Sequence, residues 1–467
     1  MTSPIRLKPR GAAEVANSSS FAEALEAGIY QGYAYSYPHK TSYRSFDEPQ
    51  SLEQHWAGVD LSNTFLYAHI PFCEMRCGFC NLFTTTDSSG DRETLFVEAL
   101  ERQARMVRNL LGPSLRVTTG AIGGGTPTIL SAPNLHRVLS ALSSNYNVDF
   151  TAVPFSVETS PDTADAEKIR ILAEAGVHRA SIGIQSWKAA ELRAMGRPQD
   201  VQRAHEAVAR LRESAIATLN IDLIYGVEGQ SAESMQANIA DTLRHEPDEV
   251  FLYPLYVRPL TGLGRNTLRS WDDERLELYR VGRDLLLEAG YRQVSMRRFE
   301  KASGVIGAAS GSTAVRESYD CQRDPMVGLG PGARSYTPNL HYSTDWAVGR
   351  DGVRSIIDSF NTADDTHHQS AHYGVLLNDD DRKRRFVMQG LLHETGVDVL
   401  RYERQFGVPV LQDFEQLTEL ISFGAAVHDL ATGTLRLTDG GVELSDAIGP
   451  WLYSAETKAR MATFEIR

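Results

Sequence analysis

Three of the four cysteines in the chain, Cys73, Cys77 and Cys80, lie together in the spacing C-x3-C-x2-C. Thiolates at such short spacing form a pocket for a soft metal centre. A structural zinc site takes four protein ligands, and a closed [4Fe–4S] cluster takes four cysteines. Three cysteines around a cubane cluster therefore leave one iron without a protein ligand, free to bind a substrate or a cofactor.

Two other interpretations fit the same three cysteines. They could be buried thiols that bind no metal, or they could form a zinc site with His69 or another histidine as the fourth ligand. The tight spacing in a chain with so few cysteines favours the cluster. The fourth cysteine, Cys321, lies far from the others in sequence, and we interpret it as an ordinary thiol.

Length and composition limit the class of protein. A chain of 467 residues is expected to form two or three domains. The contents of 42% hydrophobic and 23% charged residues are typical of a globular protein. Because there is no apolar run of about 20 residues and no signal-peptide pattern, we expect a cytoplasmic protein. A net charge of −13 argues against general binding of nucleic acid.

From residue 64 onward, apolar strand patterns alternate with amphipathic helix patterns. The six strand candidates are 64–70, 116–122, 153–158, 178–184, 218–224 and 249–256. This alternation predicts an α/β fold, a partial (β/α)6 barrel of the TIM type with a parallel sheet and helices on its outer face. Ligands of such sheets bind at the C-terminal ends of the strands, and the cysteine motif follows the first strand directly.

Each later strand ends in a glycine or a polar residue. These candidates are Gly124, Gly125 and Thr126 after the second strand, Glu158 at the end of the third, Gln185 and Arg197 after the fourth, Asp222 in the fifth and Tyr256 after the sixth. Glycine lets a ligand approach the backbone, and a carboxylate in an apolar strand needs a partner such as an ammonium or hydroxyl group. The series predicts one site at this edge of the sheet.

The segments outside the barrel are less regular. We expect an N-terminal arm over 1–60, the barrel and its extension over 61–375, and a small C-terminal domain over 376–467. The first 20 residues are polar and expected to be poorly ordered, while the tyrosines that follow could pack on the barrel as an extended arm or line a pocket. The segment 302–312 reads as a loop that could cover the site.

The C-terminal segment has three helix patterns followed by a hairpin pattern that turns at Asp439-Gly440. This order resembles a winged-helix domain. The acidic composition of the chain disfavours DNA binding, and we expect this domain to close over a substrate pocket.

The full string around the cysteines, Y-x-H-I-P-F-C-x3-C-x-F-C, resembles radical S-adenosylmethionine (SAM) enzymes. It is similar to their oxygen-independent coproporphyrinogen III dehydrogenase-like branch over about residues 60–260, and more weakly through 327–335. The resemblance implies that the open iron of the cluster chelates SAM, which is cleaved to methionine and a 5′-deoxyadenosyl radical. It also implies contacts to that SAM from Tyr67, Gly124, Glu158, Arg197 and Asp222. A second SAM would contact Phe79, Gly125, Thr126 and Gln185, and Tyr256 is a further cofactor-binding candidate.

One departure from the branch shapes the functional hypotheses. Its coproporphyrinogen enzymes continue the motif with C-G-C, whereas this chain continues Cys80-Asn81-Leu82. Our leading hypothesis is therefore transfer of a methyl or methylene carbon from a second SAM to an unsaturated carbon of a small-molecule substrate. The alternative is oxidative decarboxylation of coproporphyrinogen III. A third is a heme-binding chaperone, with His39, His69 and His178 as candidate axial ligands.

The resemblance also implies partners for the chain. We expect a small-molecule substrate and an electron donor such as flavodoxin or ferredoxin. We expect neither nucleic acid nor a membrane as a partner, and a monomeric protein.

Overall fold

The structure is a computed structural model that describes residues 20–34, 36–257, 261–263, 272–302 and 324–464. The expectations for the first 19 residues, for Tyr35, for the 302–312 loop beyond Ala302 and for Cys321 lie outside the described residues. Among the described helices, none combines the length and apolar character that crossing a bilayer requires.

The N-terminal arm contains regular structure at both ends. It begins with helix α1 (Phe21–Glu26), capped by Ser20, and ends with strand β1 (Arg44–Ser51) and helix α2 (Leu52–Trp56). Phe21 is fully buried against Trp451, with ring centroids 5.3 Å apart. The start of the chain therefore packs on its C-terminal segment.

Six parallel strands form the centre of the sheet, as the sequence predicts. They are β2 (Thr64–Ile70), β3 (Val117–Gly124), β4 (Phe155–Thr159), β5 (Arg179–Gln185), β6 (Thr218–Tyr225) and β7 (Glu249–Pro254). The helices between them are α3 (Gly90–Leu111), α4 (Ala132–Tyr146), α5 (Ala166–Ala175), α6 (Ala189–Ala194), α7 (Val201–Glu213) and α8 (Ala232–Leu243). Gly176 ends α5 in the left-handed conformation, with φ 90°, which glycine adopts without a steric penalty.

Further strands extend the sheet on both sides, and it does not close into a barrel in the described residues. After helix α9 (Asp272–Glu288), strands β8 (Tyr291–Gln293) and β9 (Arg298–Lys301) add antiparallel to β7. On the other side, β10 (Met326–Leu329) runs parallel to β2 and is followed by β11 (Arg334–Tyr336), β12 (Leu340–Ser343), helix α10 (Arg350–Thr362) and β13 (Ser370–Leu376). The strand order is β1-β13-β12-β11-β10-β2-β3-β4-β5-β6-β7-β9-β8.

The two faces of the sheet differ in character because side chains alternate along each strand. In β2, Leu66, Ala68 and Ile70 are buried in the main hydrophobic core, which the flanking helices share. Tyr67 and His69 point to the opposite face. We call this opposite face, which carries the polar residues of the neighbouring strands, the inner face.

The C-terminal segment has a hydrophobic core of its own, to which Phe21 and Tyr37 of the arm contribute. Its helices are α11 (Asp379–Leu391), α12 (Val399–Phe406), α13 (Val410–Asp413), α14 (Glu415–Phe423), α15 (Asp439–Val442), α16 (Ser445–Trp451) and α17 (Ala455–Ala462). A small sheet joins β14 (Val397–Asp398), β16 (Thr434–Leu437) and β15 (Ala426–Asp429), in that order.

The predicted hairpin turn at Asp439-Gly440 is wrong. The hairpin lies earlier, with β15 and β16 joined by residues 430–433. Asp439 instead begins helix α15, because the Thr438 side chain accepts a hydrogen bond from the Gly441 amide and caps the helix.

Candidate functional site

The cysteine loop is held in place by backbone hydrogen bonds at the C-terminal edge of the sheet. The Cys73 amide donates to the Thr85 carbonyl at 2.9 Å, and the Thr85 amide donates to the Pro71 carbonyl at 2.7 Å, which closes the base of the loop. The Gly78 amide donates to the Met195 carbonyl at 3.1 Å, which ties the loop to the segment after β5. The chain thus fixes the thiols to two strand ends.

The three thiols lie on one short loop, and two of them accept hydrogen bonds. Cys77 is buried, and its sulfur accepts a hydrogen bond from Arg197 Nη1 at 3.1 Å. The Cys73 sulfur lies 3.6 Å from Thr126 Oγ1, which donates to it. Burial, together with smaller contributions from the charges of Cys80 and Cys77, raises the pKa of Cys73 to about 12. Two of the three predicted ligands therefore accept hydrogen bonds from predicted site residues.

These residues fit a [4Fe–4S] cluster better than a zinc ion. Both ring nitrogens of His69 are engaged, Nε2 with the Phe83 carbonyl at 2.9 Å and Nδ1 with the Tyr67 hydroxyl at 3.3 Å. Burial also lowers the pKa of His69 to about 4. His69 is thus a buried structural histidine, and within the described part of the chain no three His, Cys, Asp or Glu side chains are arranged to hold a single ion.

Two carboxylates stand on the inner face beyond the thiols, on strands β4 and β6. Glu158 accepts a hydrogen bond from the Gly124 amide at 2.9 Å, and Asp222 accepts one from Asn220 at 2.7 Å. In the described residues, no Lys, Arg or His lies within 4.0 Å of either group. Desolvation by the surrounding protein raises the pKa of Glu158 to about 7 and that of Asp222 to about 6, although Glu158 itself is solvent-exposed.

A third acidic group on the same face differs from these two because it forms ion pairs within the protein. Glu249, at the start of β7, is 1% exposed and forms ion pairs with Arg179 at 2.8 Å and Arg298 at 2.7 Å. The charges of these arginines lower its pKa against the effect of burial. Because Glu158 and Asp222 have no such cations, they are suited to the ammonium and hydroxyl groups of a ligand.

The glycines after β3 are required by the protein's own packing. Gly124 has φ 114°, and a Cβ there would lie 2.5 Å from the His69 ring. A Cβ on Gly125 would lie 2.4 Å from the Phe72 carbonyl oxygen and 3.0 Å from the Cys73 sulfur. A side chain at either position would therefore collide with the protein's own atoms.

The remaining predicted residues occupy distinct positions. Gln185 lies at an irregularity of the β5–β6 pairing with φ 67°, a strained conformation of the kind found at functional sites. Phe79 packs against the small apolar cluster of Leu192, Met195, Ile224, Val227 and Leu255. The Tyr256 hydroxyl donates to Asp446 of helix α16 and lies 2.7 Å from Arg297 Nη2. Tyr256 therefore joins the end of β7 to the C-terminal segment.

The tyrosines of the N-terminal arm differ in their surroundings, some being buried and one exposed. Tyr30 is buried in the main core, and Tyr37 donates to Asp381 of helix α11 at 2.6 Å. Tyr33 remains 44% exposed and stacks over the Arg297 guanidinium, with Arg297 Cζ 4.3 Å from its ring centroid.

Arg297 and Arg334 are polar residues of this region that the sequence argument did not single out. An arginine directly after a glycine-rich loop was the available signal for Arg334.

The raised pKa values predict a pH-dependent stability of the free protein. Glu158 binds its proton more tightly when folded than when unfolded, where its pKa is near 4.5. Its contribution to stability is therefore full below pH 4.5 and is lost as pH rises through about 7. We expect a Glu158→Gln variant to gain Tm relative to the unsubstituted protein as pH rises from 5 to 8. Equal pH profiles of Tm for the two proteins would show that Glu158 has an ordinary pKa.

Comparisons with known proteins agree with this geometry. A model of the Radical SAM superfamily matches residues 67–241. The coproporphyrinogen III oxidase, anaerobic 1, of Cereibacter sphaeroides is 32% identical over 88% of this chain and 90% of its own length. The heme chaperone HemW of Lactococcus lactis is 26% identical over 82% of this chain and 95% of its own. The fold matches a solved coproporphyrinogen III oxidase of Escherichia coli with a TM-score of 0.75, at 21% identity over 90% of this chain and 96% of that one.

These relatives favour the alternative functional hypothesis, coproporphyrinogen oxidation, over methyl transfer. One conclusion follows from the cysteine loop, the polar inner face and the likeness to these oxidases over nearly the whole chain. The chain belongs to the radical SAM superfamily, in the branch that contains the oxygen-independent coproporphyrinogen III oxidases.

Proposed function

We propose that this radical SAM enzyme oxidatively decarboxylates propionate side chains of coproporphyrinogen III. The observation that carries the proposal is the 32% identity to a coproporphyrinogen III oxidase over 88% of the chain, far beyond the superfamily match at 67–241. The likeness thus covers segments outside the region that radical SAM proteins share. This wider likeness supports a shared substrate as well as shared cofactor chemistry.

The cofactor-binding residues of the proposal are those of the site described above. Cys73, Cys77 and Cys80 would hold a [4Fe–4S] cluster, which with bound SAM supplies the means to abstract a hydrogen atom from an unactivated carbon. Arg197 and Thr126 stabilise the sulfur ligands by hydrogen bonds, as partners of metal ligands commonly do.

Two SAM positions are part of the proposal. Glu158 and Asp222 are the carboxylates available for the ammonium and hydroxyl groups of a SAM molecule, with Tyr67 and Gly124 beside them. A second molecule would lie near Phe79, Gly125, Thr126 and Gln185. The strained backbone of Gln185 supports a functional role for that position.

The net change at each propionate balances as follows. The substrate loses one hydrogen atom to the deoxyadenosyl group, one CO2 and one electron, and a vinyl group remains. The electron needs a one-electron acceptor. The protein's part is to place the propionate carbon within reach of the hydrogen acceptor and to exclude water from it.

Methyl or methylene transfer remains a second candidate because of one sequence feature. The coproporphyrinogen enzymes continue the cysteine motif with C-G-C, and this chain has Leu82 in place of the last cysteine. The Leu82 side chain is 49% exposed on the cysteine loop. The positions of two candidate heme ligands, His69 and His178, argue against the heme-chaperone hypothesis. His69 is buried with both nitrogens engaged, and His178 precedes β5, at the edge of the sheet opposite to the thiols.

Methyl-deuterated SAM distinguishes the two enzymatic candidates. We expect the reconstituted enzyme, with coproporphyrinogen III under anaerobic conditions, to form 5′-deoxyadenosine without deuterium from the SAM methyl group and to form no S-adenosylhomocysteine. Mass spectrometry of the nucleosides provides the measurement. Deuterium in 5′-deoxyadenosine together with S-adenosylhomocysteine would replace decarboxylation by methylene transfer.

A further inference from the structure

Arg334, at the start of β11, is a half-buried cation on the inner face. Its Nη1 donates to Ser36 Oγ of the N-terminal arm at 2.7 Å. Among the described residues no carboxylate lies within ion-pair distance of its guanidinium, and the ionisable groups that act on it most strongly are the tyrosines 33, 43, 67 and 336. A buried cation is usually paired with an anion, so this group is suited to an anionic ligand.

A second cation approaches the same region from the C-terminal segment. Arg385 of helix α11 is 9% exposed, and its Nη1 lies 3.2 Å from both the Tyr37 carbonyl oxygen and His341 Nε2. His341 stands on β12 and feels the charge of Arg334 as well as that of Arg385. Two positive charges thus act on one buried imidazole, and such a region attracts an anion.

A buried hydroxyl next to these cations has no hydrogen-bond partner. Tyr43 is 1% exposed, and among the described residues nothing pairs with its Oη. Both Arg334 and Arg385 lie close enough to act on its charge. Leaving a buried hydroxyl without a hydrogen-bond partner is unfavourable. A ligand oxygen that accepts its proton would recover that free energy.

We propose that Arg334 and the Tyr43 hydroxyl form a carboxylate-binding subsite that holds one propionate of the substrate. This inference rests on the proposed function for the identity of the carboxylate. The planar guanidinium matches a carboxylate with two parallel N–H donors, and the tyrosine hydroxyl supplies a further donor. Arg385 adds positive charge from helix α11.

The location of the subsite favours the substrate over the carboxylate of SAM. Ser36, Tyr43, Arg334 and Arg385 all lie outside residues 67–241, the range that matches the radical SAM superfamily. They belong to the arm, the extension of the sheet and the C-terminal helix α11. Segments outside the shared domain are where recognition of an individual substrate is expected, whereas SAM binding is common to the superfamily.

Titration with coproporphyrin III tests the subsite without turnover. This stable, fluorescent tetrapyrrole has the same propionates as the proposed substrate, and its tetramethyl ester has none ionised. With the reconstituted full chain, we expect Arg334→Gln to raise the Kd for coproporphyrin III about 10- to 100-fold, the effect of losing a hydrogen bond to a charged group. Arg334→Lys should give an intermediate Kd because it keeps the positive charge and loses the two parallel N–H donors of the guanidinium.

Matched variants and ligands make the titration specific. Tyr43→Phe should weaken coproporphyrin III binding several-fold without lowering Tm, since the hydroxyl has no partner among the described residues of the free protein. Arg170→Gln, which alters an exposed ion pair with Glu174 on helix α5, should leave the Kd unchanged. The tetramethyl ester should bind the unsubstituted protein and Arg334→Gln equally, and the Kd for SAM should be the same in both.

Each contrary outcome has its own meaning. An unchanged Kd for coproporphyrin III in Arg334→Gln would overturn the subsite and leave the proposed function standing. A raised Kd for SAM in that variant would assign the subsite to the SAM carboxylate and overturn its assignment to the substrate. Failure of the unsubstituted protein to bind coproporphyrin III would overturn both the subsite and the proposed substrate.

Discussion

A Cys77→Ala variant is expected to lose most of its bound iron and all detectable SAM cleavage. Cys77 is the buried member of the three thiols and the one that Arg197 contacts at 3.1 Å. Loss of a residue that merely supports a metal ligand lowers metal affinity about 10- to 100-fold, and loss of the ligand itself is expected to cost more. Iron and acid-labile sulfide analysis after anaerobic reconstitution measures the first effect, and 5′-deoxyadenosine formation measures the second.

The remaining cysteine supplies the matched control. Cys321 stands outside the motif, so Cys321→Ala should retain the iron content and the SAM cleavage of the unsubstituted protein. If Cys77→Ala kept a full complement of iron and sulfide, or if Cys321→Ala lost as much as Cys77→Ala, the assignment of the cluster to this loop would be wrong.

An Asp446→Asn variant is expected to destabilise the protein strongly. Asp446 is fully buried, and Arg297, 1% exposed, donates to its Oδ1 at 2.6 Å. Removing one partner of a buried ion pair leaves an uncompensated charge and costs about 3–5 kcal/mol. Urea denaturation should show the loss as a lower midpoint.

Two further variants show whether the pair itself is responsible. Replacing both partners, in Arg297→Met with Asp446→Leu, should recover much of the stability because no buried charge remains. Glu174→Gln removes a surface ion pair with Arg170 and should cost about 0.3–0.5 kcal/mol. A midpoint for Asp446→Asn close to that of Glu174→Gln would contradict the account.

The fold of the central region could be predicted from sequence because its physical signals are local. Apolar strands such as Thr64–Ile70 and caps such as Gly176 reveal themselves in short windows. The extension of the sheet could not be predicted, since β1 pairs with β13 across most of the chain length. The hairpin position was missed because Asp439-Gly440 is a strong turn signal, and the cap at Thr438 outweighs it.

Some residues of the candidate site could likewise be predicted from sequence, and others could not. The three thiols follow from motif spacing, Glu158 follows from its place near a strand end, and Asp222 follows from being a carboxylate within an apolar strand. Arg334 and Tyr43 could not be predicted, because their meaning depends on which partners the fold leaves beside them. The contacts of Phe79 with an apolar cluster and of Tyr256 with Asp446 likewise depend on the fold and could not be predicted.

The most direct measurement of the central claim is the product balance with coproporphyrinogen III. The reconstituted protein is incubated anaerobically with the tetrapyrrole, SAM, a reductant and an electron acceptor, and CO2, vinyl products and 5′-deoxyadenosine are quantified together. Oxidative decarboxylation predicts one CO2 and one 5′-deoxyadenosine for each vinyl group formed. Formation of 5′-deoxyadenosine while the propionates stay intact would contradict it.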